Sequence, residues 1–286
     1  MYVPRASATL STLLLTLGLM ACGGGDAPAE DEADMPAESA AASASDESTS
    51  MPDAHVPALL ASGEAVFGIF SGDHTAEAGA AMADVRNTDF VFYSLESGPF
   101  DMGAMEAYIQ GMQTASMEMG VAPHPVLLRI PPIHLDTAAA RDHVTRGLAT
   151  GADGIVYPHV VTPDEAALSS ELMGSSLYPT DPAGTLTNVV LIEDQEGISN
   201  AMDIVGAPGV SVAIPGPGDL SRAYEGDMEA VEDAIQTVLA ACLELDVACG
   251  ITAGVDDIGE RLDQGFRFII VTQPEALAVG MEHAGR

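Results

Sequence analysis

From about residue 55 onward, short runs of consecutive apolar and β-branched residues alternate with longer stretches in which apolar residues recur every three to four positions. Runs of the first kind read as parallel strands buried on both faces, which lose the polar alternation of a half-exposed strand. Eight of them occur, at 65–71, 89–95, 125–130, 154–160, 189–193, 209–214, 248–252 and 266–271. Helical periodicity falls between them at 75–83, 102–119, 137–149, 163–172, 228–245 and 257–264, whereas 173–187 reads as irregular. Eight strands with interleaved helices in about 230 residues predict an α/β fold, a (β/α)8 TIM barrel over residues 55–286. A doubly wound open sheet is the weaker alternative. Gly68-Ile69-Phe70-Ser71-Gly72, after the first strand, lacks the three-glycine spacing of a dinucleotide site.

The first 54 residues break this pattern. Arg5 precedes an apolar run at 10–19 that is short for a membrane span, and the run ends in Leu19-Met20-Ala21-Cys22-Gly23. That ending resembles a bacterial lipobox, so residues 1–22 are expected to be a lipoprotein signal peptide with Cys22 lipidated. The alternative is an ordinary signal peptide that happens to contain a cysteine. Residues 23–54 are Gly, Ala, Ser, Pro, Asp and Glu with little to bury, and read as a disordered acidic tether. The expected location is outside the cytoplasm, lipid-anchored to a bacterial membrane. Because Gly23 and not Asp follows Cys22, this is the outer membrane in a two-membrane cell.

Charge narrows the function. A net charge of −34 disfavours nucleic acid and anionic lipid surfaces, because no basic patch is present to release counterions, so any membrane contact runs through the lipid anchor. The nine basic residues are all arginine, and without lysine neither a Schiff-base mechanism nor covalently held PLP can operate. Cys242 and Cys249 read as small core residues, a disulfide between them being the lesser alternative.

Two segments carry the candidate chemistry. Ile192-Glu193-Asp194-Gln195-Glu196-Gly197 and Ile214-Pro215-Gly216-Pro217-Gly218-Asp219-Leu220-Ser221 each follow an apolar strand run, which places Glu193 and Asp219 at strand ends. Chemistry in such barrels sits on the rim made by the strand C-termini. Two converging carboxylates there suit a hard divalent cation, Mg²⁺ or Mn²⁺; the alternative is that each only caps the helix that follows. The other polar rim residues are Glu96 and Ser97 after the second strand, Arg129 after the third and His159 after the fourth. Arg129 facing two carboxylates is either a plain salt bridge or, with a metal between them, an anion site.

Together with 90–100 (Phe-Val-Phe-Tyr-Ser-Leu-Glu-Ser-Gly-Pro-Phe), Leu128-Arg129-Ile130-Pro131 and 151–158, these motifs make the chain resemble the HpcH/HpaI aldolase and citrate lyase family of metal-dependent pyruvate aldolases. The resemblance implies a homo-oligomer and a 2-oxo acid substrate. It makes Glu193 and Asp219 metal ligands and Arg129 the residue that steadies the enolate oxygen. Gly216 and Gly218 let the backbone approach, so that amides near Gly218 and Asp219 receive the substrate carboxylate. The family's Asp-x-Glu-His after the second strand is here Ser94-Leu95-Glu96-Ser97, and its aspartate two residues before Gly151 is Ala149. With that dyad gone, the proton carrier is a metal-bound hydroxide, Glu96 or His159; His159 otherwise reads as an ordinary rim histidine, and His134 is a further candidate. The expected activity is an aldolase-type carbon–carbon lyase acting on a 4-hydroxy-2-oxo acid or 2-oxo-3-deoxy sugar acid. The alternatives are a non-catalytic oxo-acid and metal-binding lipoprotein, and a lyase of CoA thioesters.

Overall fold

All eight apolar runs become staves of one closed parallel barrel. The structure, a computed structural model, describes residues 56–286. The strands are β1 (Val66–Phe70), β2 (Phe90–Ser94), β3 (Val126–Arg129), β4 (Gly154–Tyr157), β6 (Leu186–Ile192), β7 (Val212–Pro215), β8 (Ala248–Ala253) and β9 (Phe268–Val271). Each pairs in parallel with its neighbour, and β1 pairs with β9 to close the ring. A two-residue strand, β5 (Leu177–Tyr178), adds to the start of β6 from within the segment read as irregular.

Strand alternation divides the apolar residues into two cores. Val66, Phe90, Leu127, Val156, Val189, Val212 and Phe268 fill the barrel, with Phe90 and Phe268 stacked at 4.5 Å between ring centres. Phe67, Ile69, Val91, Tyr93, Leu128 and Ile155 face outward against the helices. Gly68 is required here, because a Cβ on it would lie 2.0 Å from the Phe90 ring.

The periodic helices form as expected: α2 (Ala76–Met82), α3 (Met102–Met119), α4 (Thr137–Thr150), α5 (Pro163–Met173), α9 (Met228–Leu245) and α10 (Ile258–Gln264). Part of the acidic surplus caps them. Asp101, Asp136 and Asp227 accept first-turn amides of α3, α4 and α9, and Thr162 and Glu165 form a capping box on α5. Sequence periodicity did not reveal α1 (Val56–Ser62), α6 (Gln195–Ser199), α7 (Ala201–Val205), α8 (Pro217–Ala223) or α11 (Glu275–His283). These helices run only five to nine residues. Val56 and Leu60 of α1 join the inner core at the N-terminal end of the barrel.

Cys242 and Cys249 are free and buried. The lipobox with Cys22 and the tether at 23–54 lie outside the described residues. Among the described residues, no helix is long and apolar enough to cross a membrane.

Candidate active site

Arg129 ends β3 and is fixed from three sides. Its Nε donates to Ser94 Oγ at 2.9 Å, its Nη2 pairs with Glu96 Oε2 at 3.0 Å, and its guanidinium lies over the Phe92 ring at 5.3 Å. A planar fork held this way presents charge in one direction with little entropy left to lose. Glu96, two residues past β2, is half-buried, and its other oxygen, Oε1, turns toward His159 Nε2 at 3.7 Å.

His159, two residues past β4, has a φ of +52°, a left-handed conformation that costs a non-glycine residue about 1–2 kcal/mol. Such strain persists where the surroundings enforce it, often at functional sites. Its Nδ1 is 3.0 Å from Asp194 Oδ2, and its backbone N–H reaches Glu193 Oε2 at 3.4 Å.

Glu193 follows β6 directly and is only 3% exposed. Gly216, at the end of β7, makes room for it, since a Cβ there would stand 2.1 Å from Glu193 Oε1. Asp219 is not at a strand end as the sequence suggested. It is the third residue of α8, where Pro217 has already started a helix, and its Oδ1 is bound by Arg222 of the same helix and lies 4.0 Å from His159 Nε2.

The electrostatics follow from this crowding. Burial first, and then the charge of Asp219, push the Glu193 carboxyl up to about 7; His159 and Arg129 pull it the other way. For His159, burial works to lower the pKa. The hydrogen bond that the ring donates to Asp194 and the charges of Glu193, Asp194 and Asp219 outweigh it, so the imidazole is raised above its ordinary value. Arg129, Glu193 and Asp219 border a cavity of about 280 Å³ whose other walls include Phe70, Phe92, Gly218 and Thr272. No atom lies within 4 Å of where a Gly218 Cβ would be, and no side chain caps the first turn of α8.

This donor set fits a divalent cation. Glu96, His159 and Glu193 each offer an atom within 4.8 Å of the other two. Glu193 Oε1 has no hydrogen-bond donor among the described residues, although the side chain is almost wholly buried. A buried carboxylate in that position calls for a cation or a proton.

The expected site residues Glu96, Arg129, His159, Glu193, Gly216, Gly218 and Asp219 therefore converge. His134 does not, being exposed ahead of α4. Ser97 is exposed at the C-terminal end of the barrel, whereas α4, about 20 Å long, carries Ala149 to the N-terminal end. Sequence reasoning missed Asp194, Ser94, Phe92 and Arg222. Asp194 and Ser94 stand inside the motifs already singled out, but strand alternation alone would have turned Asp194 away from Glu193.

Comparison with known proteins agrees with this fold. A HpcH/HpaI aldolase/citrate lyase family protein from Burkholderia cenocepacia J2315 superimposes with a TM-score of 0.66 at 21% identity, covering 80% of this chain and 96% of that one. Macrophomate synthase gives 0.60 at 20% identity, over 82% of this chain and 87% of that one. The citrate lyase beta subunit of M. tuberculosis, solved with oxaloacetate and magnesium, gives 0.57 at 16% identity, over 80% and 100%. At these identities the likeness carries the fold. No curated protein matches the chain in sequence. The sequence pattern of the HpcH/HpaI aldolase/citrate lyase family matches residues 68–273, and the chain belongs to that family.

Proposed function

We propose that the protein is a metal-dependent carbon–carbon lyase of the aldolase type that cleaves a 4-hydroxy-2-oxo acid, or a 2-oxo-3-deoxy sugar acid, to pyruvate and an aldehyde. The observation that carries this reading is the fixed Arg129 fork on the same cavity as buried Glu193 and Asp219. Glu193 and Asp219 would hold Mg²⁺ or Mn²⁺, which supplies Lewis acidity to the 2-oxo acid when bound. Arg129 places a permanent positive charge where the 2-oxo oxygen gathers negative charge as the C3–C4 bond breaks. Gly218 leaves the uncapped first turn of α8 open to the substrate carboxylate. A base takes the 4-hydroxyl proton as the aldehyde departs, and C3 is then protonated. Glu96 would carry these transfers, its Oε1 turned toward His159.

A second reading, a non-catalytic binder of oxo acids and metal, is favoured by the serine and alanine that stand at positions 97 and 149. Incubation of the purified protein with a panel of 2-oxo acids and excess Mn²⁺, with pyruvate release measured by a coupled dehydrogenase, separates the two. Metal-dependent pyruvate release is expected. Oxo-acid binding without any release overturns the lyase reading.

A further inference from the structure

We propose that His159 is itself a ligand of the divalent cation through Nε2, with Asp194 as its positioning residue, so that the site is a mixed nitrogen and oxygen one that favours Co²⁺, Zn²⁺ or Mn²⁺ over Mg²⁺. The inference rests on the metal-dependent reading above and changes the ligand set that the paired carboxylates alone would give.

Three observations carry it. Asp194 Oδ2 lies 3.0 Å from Nδ1, so an ionised Asp194 takes the N–H of that nitrogen and leaves the lone pair on Nε2. A carboxylate behind an imidazole is the usual partner of a metal-binding histidine, fixing both its tautomer and its ring orientation. Next, Nε2 stands 3.7 Å from Glu96 Oε1 and 4.0 Å from Asp219 Oδ1. Both separations are too long for a hydrogen bond, so Nε2 is not tied to either carboxylate directly. They fit donors that share one ion, since two atoms each bonded at about 2.1 Å lie at most about 4.2 Å apart. Finally, the left-handed backbone of His159 brings the ring against buried Glu193, with Nδ1 3.9 Å from Glu193 Oε2.

Nitrogen ligation changes the selectivity. Imidazole is a good ligand for transition metals and a poor one for Mg²⁺, which keeps to oxygen. The test uses the full chain stripped with chelator. Mn²⁺ added below stoichiometry is examined by pulsed electron paramagnetic resonance for a directly bound nitrogen, and Co²⁺ and Mg²⁺ affinities are measured by calorimetry. Bound Mn²⁺ should show imidazole nitrogen coupling. His159→Asn should abolish that coupling and reduce the Co²⁺-to-Mg²⁺ preference at least about tenfold; asparagine tolerates the left-handed backbone, and thermal denaturation reports on folding. Asp194→Ala should keep the nitrogen signal but weaken Co²⁺ binding by about 10- to 100-fold. Mn²⁺ bound without nitrogen coupling, or coupling that persists in His159→Asn, overturns the role of His159 and leaves the carboxylate site standing. No Mn²⁺ binding at all overturns both.

Discussion

Gly216→Ala is the sharpest probe of the site, because it adds one methyl group and no charge. The backbone at 216 has φ −83° and ψ 100°, which alanine adopts freely, so any effect comes from the side chain alone. The new Cβ would stand 2.1 Å from Glu193 Oε1 and 2.8 Å from both its Cδ and Cγ, against an ordinary contact of 3.4 Å or more. The carboxylate must therefore retreat by roughly 1 Å, in surroundings close-packed enough to resist. Overpacking of this kind costs about 1–3 kcal/mol, offset by about 0.4–1 kcal/mol from the stiffer unfolded chain, so the fold should survive. The site should not: a displacement near 1 Å of a group that must be aligned reduces its effect about 100-fold. Mn²⁺ titration calorimetry is the assay, with Gly218→Ala as the control. A Cβ at 218 meets nothing within 4 Å, so that variant should keep Mn²⁺ affinity within about threefold and weaken only oxo-acid binding. Unchanged Mn²⁺ affinity in Gly216→Ala, or equal losses in both variants, would refute the reasoning.

Glu193→Gln should change how stability depends on pH. The folded carboxyl is raised to about 7 from 4.5, so between those values the folded, metal-free protein holds a proton that the unfolded chain has released, and stability falls as pH rises through that window. The stability difference, variant minus parent in chelator, should widen by a few kcal/mol between pH 5 and 8 in denaturant titrations; a flat difference counts against the burial argument. Arg286 ties the last residue to buried Asp89 through two bonds of 2.7 and 2.9 Å and to Ala65 O at 2.7 Å. Allowing for its partial exposure, Arg286→Ala should cost about 1–2 kcal/mol and lower Tm by several degrees, and an unaltered melting curve would remove this clamp from the account. Cys22→Ala should release the protein from membranes, and parent protein found in the aqueous phase of a detergent split would dispose of the lipid anchor.

The barrel was legible because its signal is redundant. Each stave is a buried run that has no other plausible state, and eight of them in series admit few topologies. The helices that escaped notice are all short, at five to nine residues, and Val56 and Leu60 of α1 join the inner core. Glu193 and Arg129 could be placed because a residue at the end of a buried strand has only the rim to occupy. Asp219 came out near its true place for the wrong local reason, since Pro217 starts a helix and a helical turn delivers the side chain. His159 could not be distinguished from an ordinary rim histidine, because its role depends on a left-handed residue that no sequence pattern announces.

That residue also bears on how the site is assembled. His159 and Asp194 lie on adjacent strand ends, β4 and β6, which pair directly, so their separation is set by the sheet itself. A one-residue shift in that pairing would turn both side chains to the other face. Glu96 and Arg129 stand on β2 and β3, which are likewise neighbours. The geometry of these charged groups thus depends on barrel register.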